Sequence, residues 1–329
     1  MAMRIISQDQ ITPHFYIKTV PIYGNLILAP MAGYSDSPNR LIARRLGSAM
    51  SYTEFVNAID ITQDIRRVST KLTYLPEERP VVFQVFDNDL GRILSSARIL
   101  FPLQPDILDI NLGCSAHSVS NRGAGAGLLK NPKLIADIFT QLVKISPIPV
   151  TAKIRLGWDD DSRNYLEVSH ILEECGAALI AVHGRTKKQA YNGRSDWQAI
   201  AEVKANVKIP VLANGDVCTP DDITNILSVT GCDGVMIGRG SFGNPWIFSR
   251  LVRDDVTLTE TLDVIWQHLE LIENFYGSER GYIIFRKHLK AYLLPFSIER
   301  PFLYALMTAE NSETLHALIM DIPLHIQGA

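Results

Sequence analysis

Short apolar runs recur between residues 26 and 237, and amphipathic stretches separate them. This alternation predicts parallel β-strands joined by crossover helices, because such strands are apolar on both faces and the helices on one face only. We predict eight strands, over residues 26–29, 50–53, 81–85, 107–110, 150–154, 179–182, 211–213 and 234–237. Helices are predicted between them, for example over residues 39–46, 90–100, 132–144, 164–175, 196–204 and 220–227. Capping residues ahead of a proline, at Asp36, Asn131 and Thr219, indicate where three of these helices begin.

Eight such strand–helix units over about 250 residues match a (β/α)₈ TIM barrel in number and length. The alternative fold is a doubly wound open sheet, which a Gly-x-Gly-x-x-Gly turn after the first strand would favour. That turn reads Pro-Met-Ala-Gly-Tyr-Ser over residues 30–35 and does not fit. The pattern therefore predicts an α/β protein with a (β/α)₈ TIM barrel.

The strand–helix alternation stops beyond Arg253. Apolar residues then recur at helical spacing, at Leu262, Ile265, Leu269 and Ile272 for example, and this pattern continues to residue 319. It predicts a C-terminal all-helical bundle. We therefore predict two domains, a barrel over residues 1–253 and a helical domain over residues 254–329.

Composition narrows the class of protein. The 329 residues are 47% hydrophobic and 20% charged, which is typical of a globular chain, and the net charge of −3 gives no global indication of nucleic-acid binding. The four cysteines form no Cys-x-x-Cys pair, which argues against a zinc ribbon and fits a reducing cytosol. The N-terminal stretch from Met1 to Thr12 lacks an apolar signal core, and no apolar run is long enough to span a bilayer. We expect a cytoplasmic protein without a membrane segment, a metal site or an obligate protein partner.

Candidate chemistry lies at the predicted strand ends, because barrel enzymes carry their sites on the loops that follow the strands. Nearly every end carries a polar group or a small residue. In chain order they are Pro30, Met31 and Ala32, then Glu54, Gln84, Asn111 with Cys114, Lys153 with Arg155, His183, Asn214 with Gly215 and Asp216, and Gly238 with Arg239 and Gly240.

Cys114 is the most informative of these residues. It follows an apolar strand and Asn111 and Gly113, and a small-residue segment over residues 123–127 comes shortly after it. Cysteine is usually a buried small hydrophobe. A thiol on a glycine-flanked loop at a strand end is instead placed for chemistry, and the small-residue segment is expected to let backbone approach a ligand closely.

The last two strand ends predict a phosphate site. In TIM barrels a phosphate commonly binds between the loops after strands seven and eight. Asn214-Gly215-Asp216 and Gly238-Arg239-Gly240 offer backbone amides and one guanidinium there. The alternative is that both are ordinary turns, since Asn-Gly is a common turn dipeptide.

These residues together resemble the tRNA-dihydrouridine synthase family, and the bacterial B-type or nitrogen-regulation-like branch most of all. The resemblance runs from about residue 25 to the end of the helical region. Its barrel motifs are Ala29-Pro30-Met31-Ala32-Gly33 with Asp36, Asp109-Ile110-Asn111-Leu112-Gly113-Cys114, Gly123-Ala124-Gly125-Ala126, Lys153-Ile154-Arg155, His183-Gly184-Arg185-Thr186, Ala213-Asn214-Gly215-Asp216, Met236-Ile237-Gly238-Arg239 and Pro245-Trp246. Arg286-Lys287-His288 with Tyr292 resembles the family's helical signature.

The resemblance implies an enzyme that reduces the C5=C6 bond of specific uridines in tRNA, with FMN as cofactor and NADPH as reductant. It implies hydride transfer from flavin N5 to C6 of the uracil and proton donation from Cys114 to C5. FMN contacts are predicted for Pro30, Met31, Ala32, Gln84, Lys153, His183, Asn214, Gly215, Asp216, Gly238 and Arg239. Substrate contacts are predicted for Asn111, Arg155, Arg185, Arg286, Lys287 and His288, of which the cations also suit RNA phosphates, although a charge run on a helix is more often a solvated face.

Three of the residues predicted to contact FMN could instead have a purely structural role. Lys153 lies in an apolar strand and needs a partner, which is either the negative charge of a reduced flavin or a neighbouring acid such as Glu54. Gln84 is either hydrogen-bonded to the flavin or a satisfied polar residue at a strand end. His183 is either a flavin contact or a core histidine bonded to backbone.

The chain departs from the family pattern at three places. Ser115 stands where a proline usually follows the cysteine, His117-Ser118 replaces a basic pair, and Ala291 stands where a tryptophan is usual. The first bears on how the cysteine is positioned and the others on tRNA affinity. Ser115 and Ala291 leave open a tRNA-binding regulator with impaired catalysis. A second alternative is an FMN barrel reductase that acts on a free pyrimidine, which would use the same flavin, lysine and cysteine but leave the helical region without a role.

Overall fold

A computed structural model describes residues 12–326. Residues 1–11 and 327–329, which belong to the two predicted domains and include most of the Met1 to Thr12 stretch, lie outside the described residues. The first elements are an antiparallel hairpin, β1 (Phe15–Ile17) and β2 (Val20–Ile22). Its apolar residues pack against the barrel interior, beside Ile27 and Ile107. The hydrophobic pattern did not predict this hairpin.

The sheet that follows is a closed parallel barrel, as predicted. Its strands are β3 (Leu26–Leu28), β4 (Ser51–Tyr52), β5 (Val56–Asn57), β6 (Val81–Phe86), β7 (Ile107–Leu112), β8 (Val150–Arg155), β9 (Ile180–His183), β10 (Val211–Asn214) and β11 (Gly234–Ile237). β4 and β5 both pair with β6 and occupy one barrel position, and β3 pairs with both β4 and β11, so the barrel has eight positions. The eight strand predictions are confirmed, with ends that differ by a few residues.

Helices surround the barrel and connect its strands. They are α1 (Ser37–Arg45), α2 (Ala58–Asp64), α3 (Ser69–Leu72), α4 (Leu90–Leu100), α5 (His117–Ser120), α6 (Pro132–Ile145), α7 (Tyr165–Glu174), α8 (Trp197–Asn206) and α9 (Pro220–Thr230). The predicted capping residues are confirmed, since the side chains of Asp36, Asn131 and Thr219 each accept a hydrogen bond from the first turn of their helix.

Side chains along each barrel strand point alternately towards the surrounding helices and towards the barrel interior. On strand β7 the side chains of Leu108, Ile110 and Leu112 point outward and pack against residues of the helices, whereas Ile107 faces the interior. Asp109 and Asn111 share the inward face with Ile107, because side chains two residues apart on a strand point the same way. The interior face is therefore apolar at the amino-terminal end and polar towards the carboxyl end.

A buried ion pair anchors the loop after β3. Arg40 of α1 and Glu78 are both fully buried, with 2.5 Å between Nε and Oε2. Arg40 Nη1 also donates to the carbonyl oxygen of Ser35 at 2.8 Å. Since Ser35 ends the loop that carries Pro30 and Met31, this pair fixes one side of the predicted site.

The variant Arg40→Ala is expected to lower the free energy of unfolding by about 3–5 kcal/mol, because the carboxylate of Glu78 would stay buried without its partner. Urea denaturation measures the change. Arg45→Ala on the exposed side of the same helix is the matched control and should change the free energy of unfolding by less than about 0.5 kcal/mol. Equal values for the two variants would contradict this role for Arg40.

Four helices follow the barrel: α10 (Leu258–Tyr276), α11 (Ser278–Leu293), α12 (Arg300–Thr308) and α13 (Ser312–Asp321). They enclose a second core that includes Ile265, Leu269 and Phe285. Ile42 of α1 and Trp246 of the segment after β11 belong to the same core, so this helical region packs directly on the barrel. The domain boundary at residue 253 stays a prediction. None of the helices within residues 12–326 combines the length and apolar character needed to cross a bilayer.

Candidate active site at the barrel mouth

A cavity of about 800 Å³ opens at the carboxyl-terminal ends of the barrel strands. Loops that follow most of the strands contribute to its lining. The predicted site residues that line it are Pro30, Met31, Ala32, Asn111, Cys114, Lys153, Arg155, His183, Asn214, Gly215, Asp216, Gly238 and Arg239. The structure thus brings most of the predicted residues together in one cavity.

The other predicted site residues lie away from the lining. Gln84 is fully buried and bonds to Asn111 and Asp109, and Arg185 is 2% exposed behind Asp216. Arg286, Lys287 and His288 lie on α11 in the helical region. Their predicted contacts with FMN or substrate stay predictions.

The loop after β7 holds Cys114 rigidly at the cavity. The backbone N–H of Cys114 donates to Asn111 Oδ1 at 2.7 Å, and its carbonyl oxygen accepts from Ala126 N at 3.1 Å. Gly125 has a φ of +55°, and a Cβ there would come within 3.0 Å of both the Cβ and the carbonyl oxygen of Cys114. This part of the small-residue segment therefore packs against Cys114, and the segment is not among the residues that line the cavity, so its close approach to a ligand stays a prediction.

The Cys114 thiol is in its protonated form at neutral pH. Burial raises its pKa above the usual value, and the Ala116 N–H and the charges of Arg155 and Lys153 only partly oppose this. A half-buried neutral thiol facing a cavity is suited to donate a proton rather than to act as a thiolate nucleophile.

Lys153 lies beside Asn111 in the sheet register and also lines the cavity. Its Nζ donates to Asn214 Oδ1 at 2.9 Å, and it forms no ion pair with a carboxylate among residues 12–326. Glu54, the alternative partner, instead accepts a hydrogen bond from Gly33 N at 2.5 Å. Burial lowers the pKa of Lys153 to about 7, the charge of Arg155 adds to this, and the Asp109 carboxylate opposes it. A bound anion would restore the charge of this lysine.

Arg155 ties the Cys114 loop to the loop after β9. It is 3% exposed and donates through Nε to the Gly113 carbonyl at 2.8 Å and through Nη1 to those of Thr186 and Ala190. Burial lowers its pKa to about 10, so the guanidinium stays charged at neutral pH. Burial holds the pKa of His183 well below its usual value, and the charges of Lys153 and Arg155 add to this effect. The imidazole of His183 is therefore neutral.

Asp216, on the loop after β10, binds the loop after β9 and lies near the loop after β11. Asp216 has a φ of +55° and accepts from Arg185 Nη2 at 2.6 Å and from Ser195 N at 2.7 Å. Arg239 Nη2 lies 3.6 Å from its other oxygen. Burial alone would raise the pKa of Asp216, but the bonds from Arg185 and Ser195 and the two guanidinium charges hold it below the usual value. Asp216 is therefore ionised and holds the loop after β10 against the loop after β9.

Sequence reasoning missed the aromatic part of the lining, which comprises Tyr34, Phe55, Tyr191 and Phe242. Tyr191 is 57% exposed, with the guanidinium of Arg239 at 4.4 Å and that of Arg155 at 5.7 Å from its ring centroid. Phe55 directly follows Glu54, so the strand-end rule could have found it. No comparable signal marks Tyr191, which lies in a loop without periodicity.

Comparison with known proteins identifies the family. A sequence model described as "Dihydrouridine synthase (Dus)" matches residues 27–322. The chain belongs to the dihydrouridine synthase family. Proteins named tRNA-dihydrouridine synthase B are similar to it: that of Pseudomonas syringae pv. tomato is 36% identical over 308 residues, covering 91% of each chain. The Pseudomonas aeruginosa protein is 37% identical over 285 residues, covering 84% of this chain and 86% of its own. The family resemblance seen in the motifs is confirmed.

Solved structures with low sequence identity share the barrel fold. A histamine dehydrogenase from Rhizobium sp. 4-9 superposes with a TM-score of 0.56 at 12% identity, covering 78% of this chain and 50% of that one. A 2-naphthoyl-CoA reductase gives a TM-score of 0.54 at 10% identity, covering 71% and 51%. These similarities concern the fold alone.

In this member of the family the helical signature lies at the interface with the barrel. Lys287 Nζ donates to the carbonyl oxygen of Gly33 in the loop after β3. Tyr276 of α10 donates to Asp36 Oδ2 at 3.1 Å on the same loop. His288 is 2% exposed and packs against Tyr34 and Phe242, whose rings line the cavity. The helical region thus holds the loop that carries Pro30, Met31 and Ala32.

The departures from the family pattern have different surroundings. Ser115 lines the cavity beside Cys114, whereas Ala291 is buried against Gly243 at the interface between barrel and helical region. The change at Ala291 therefore concerns how the two parts pack, and not a surface open to RNA.

Proposed function

We propose that this protein is a tRNA-dihydrouridine synthase that uses FMN, with NADPH as reductant, to reduce the C5=C6 bond of uridines in tRNA. The observation that carries the proposal is a cavity in which the protonated thiol of Cys114 and the amino group of Lys153 lie with two glycine-containing loops. Family membership supports it, as do the names of relatives that match most of both chains.

The cavity fits FMN in charge and shape. Lys153, Arg155 and Arg239 make the lining cationic, and Asp216, the one carboxylate among the lining residues, is paired with Arg185. The N–H groups of Gly215 and Val217 donate to no protein acceptor within residues 12–326, and free amides in such loops bind phosphate. We assign FMN contacts to Pro30, Met31, Ala32, Lys153, His183, Asn214, Gly215, Asp216, Gly238 and Arg239, with Gln84 supporting the site from below.

The protein's own residues have two tasks in the proposed reaction, to orient the uracil and to deliver a proton to C5. When bound, FMN supplies the hydride for C6. Cys114 fits the proton transfer because burial keeps its thiol protonated, and such general acid catalysis contributes a factor of about 10²–10⁴. Asn111 and Arg155 hold the backbone on either side of Gly113, which fixes the position of the acid.

We propose that tRNA reaches the cavity across the loop after β9, in the cytoplasm and without a protein partner. Arg194 is exposed on the loop after β9, as is Lys188, whose Nζ pairs with Asp159 at 2.7 Å, and the exposed ring of Tyr191 offers a face for a base. The target uridine must leave its stack to enter the barrel mouth. Arg185 and His288 are buried, so we assign them to Asp216 and to the interface and not to RNA contact.

The direct test is mass mapping of dihydrouridine in tRNA from cells that lack this protein. At least one position should carry uridine in the deletion strain and regain dihydrouridine when the wild-type gene is returned. An unchanged dihydrouridine pattern in the deletion strain would contradict the proposed function.

Binding of tRNA is expected to weaken steeply with salt, because cations at the cavity mouth release counterions from the phosphates. The slope of log K against log salt should be about −0.7 to −0.9 per phosphate contact. Fluorescence anisotropy with labelled tRNA between low and physiological salt measures this slope. A flat response would favour a reductase for a free pyrimidine.

A further inference from the structure

A chain of hydrogen bonds runs from the middle of the barrel to Cys114. Thr151 Oγ1 donates to Asp109 Oδ1 at 2.6 Å, and Gln84 Nε2 donates to Asp109 Oδ2 at 2.7 Å. Asn111 Nδ2 donates to Gln84 Oε1 at 2.8 Å. Asn111 Oδ1 then accepts from the backbone N–H groups of Gly113 and Cys114, at 3.0 and 2.7 Å.

All four side chains in this chain of hydrogen bonds are buried. Asp109, Gln84 and Thr151 have no exposed surface, and Asn111 is 5% exposed. The sheet register places Gln84 directly opposite Asp109 and Asp109 directly opposite Thr151, so the contacts join neighbouring strands at one level of the barrel. Water cannot replace a lost partner here without entering the packed interior.

Asp109 determines which end of each amide in this chain of hydrogen bonds faces its neighbour. A primary amide can present either its oxygen or its NH₂ group to a neighbour, whereas an ionised carboxylate only accepts. With Asp109 in place, Gln84 must turn Nε2 towards it and Oε1 towards Asn111. A reversed Gln84 would set its oxygen against the carboxylate and its NH₂ group against that of Asn111. Burial raises the pKa of Asp109 to about 6, against the bonds from Thr151 and Gln84 and the charge of Lys153, so the group is ionised at neutral pH.

We propose that Asp109 is a positioning residue for Cys114: its carboxylate orients Gln84, which orients Asn111, which holds the backbone of the Cys114 loop. The inference rests on the proposed function, in which Cys114 donates the proton. It assigns Asp109 a role in the reaction although the residue lies below the cavity and does not touch the substrate.

Kinetics of uridine reduction test the inference through a double-mutant cycle. Asp109→Ala should lower the rate with prereduced enzyme and tRNA about tenfold. In a Cys114→Ala background the same change should cost less than about twofold, because a residue that acts through Cys114 has nothing left to position. Should the alanine variant not fold, Asp109→Leu removes the acceptor while filling the volume.

Two matched variants separate positioning from general disturbance of the core. Asp109→Asn can turn its Nδ2 to the Thr151 hydroxyl, which is also able to accept, and keep its oxygen as the acceptor for Gln84, so it should retain the rate within about threefold. Thr151→Val removes the other bond to Asp109 without touching Gln84, and should stay within about twofold. A loss in the asparagine variant as large as in the alanine variant would overturn the role of the acceptor.

Alkylation of Cys114 by iodoacetamide gives a readout that is independent of activity. Peptide mass spectrometry should show Cys114 reacting at least about threefold faster in Asp109→Ala, because its loop is less restrained, while the exposed Cys218 reacts at an unchanged rate. Additive losses in the cycle together with unchanged Cys114 alkylation would overturn the inference. A Cys114→Ala enzyme that reduces uridine at the wild-type rate would instead contradict the proposed function itself.

Discussion

Replacement of Cys114 by alanine is expected to slow uridine reduction by a factor of about 10²–10⁴ while FMN stays bound. The thiol is the proposed proton donor, whereas the residues assigned to FMN lie on other loops. Stopped-flow oxidation of the prereduced enzyme by tRNA measures the rate, and the visible absorbance of the purified variant measures the FMN content.

The pH dependence of the rate of uridine reduction also tests the role of the Cys114 thiol. Burial raises the pKa of Cys114, and only the thiol form can donate. The wild-type rate should therefore persist through neutral pH and fall as pH rises through that raised pKa, and this alkaline limb should be absent from Cys114→Ala. Cys175→Ala is the matched control, because Cys175 contacts Thr140 outside the cavity. A Cys114→Ala variant with the control's rate would remove the thiol from the mechanism.

Replacement of Lys153 by methionine is expected to weaken FMN binding by about 10–100-fold, as loss of one charge-assisted contact costs about 1.5–3 kcal/mol. The effect should depend on pH with a defined sign. Below about pH 7 the free protein carries Lys153 as a cation, and above it as a neutral amine. Affinity of the wild type for the FMN anion should therefore fall as pH rises through 7, and the variant should lose the part of this dependence that is due to Lys153.

Fluorescence quenching of FMN titrated with apoprotein measures both quantities. Lys187→Met is the matched control: Lys187 is as buried as many barrel residues, lies over the Trp158 ring at 4.3 Å and does not line the cavity. Its affinity for FMN should equal that of the wild type. Equal affinities for the Lys153 and Lys187 variants would show that Lys153 does not contact the cofactor.

The barrel could be predicted because its signals are local. Apolar runs bounded by polar residues mark each strand, and the strand-end rule then collected Cys114, Lys153 and Asn214 from separate parts of the chain into one cavity. The rule does not predict how far below the cavity a side chain on such a strand lies. Gln84 and Asp109 lie on strands whose ends face the cavity, yet both are fully buried below it.

The helical signature shows why other assignments were harder. Arg286, Lys287 and His288 are consecutive on α11, so they point in three directions about 100° apart and cannot share one RNA surface. His288 falls at helical spacing with Phe285, Leu289 and Tyr292, which are buried, and this spacing could have indicated its burial. The contact of Lys287 with Gly33 joins residues far apart in the chain and leaves no sequence pattern.

We propose above that the cavity holds FMN and passes reducing equivalents to tRNA. A single-turnover experiment tests both parts of this proposal: the enzyme, prereduced with NADPH under anaerobic conditions, is mixed with unmodified tRNA. We expect the flavin absorbance to return as the tRNA gains dihydrouridine, with both changes at one rate. A purified protein that neither carries nor takes up FMN, or a prereduced enzyme that binds tRNA and stays reduced, would contradict the account.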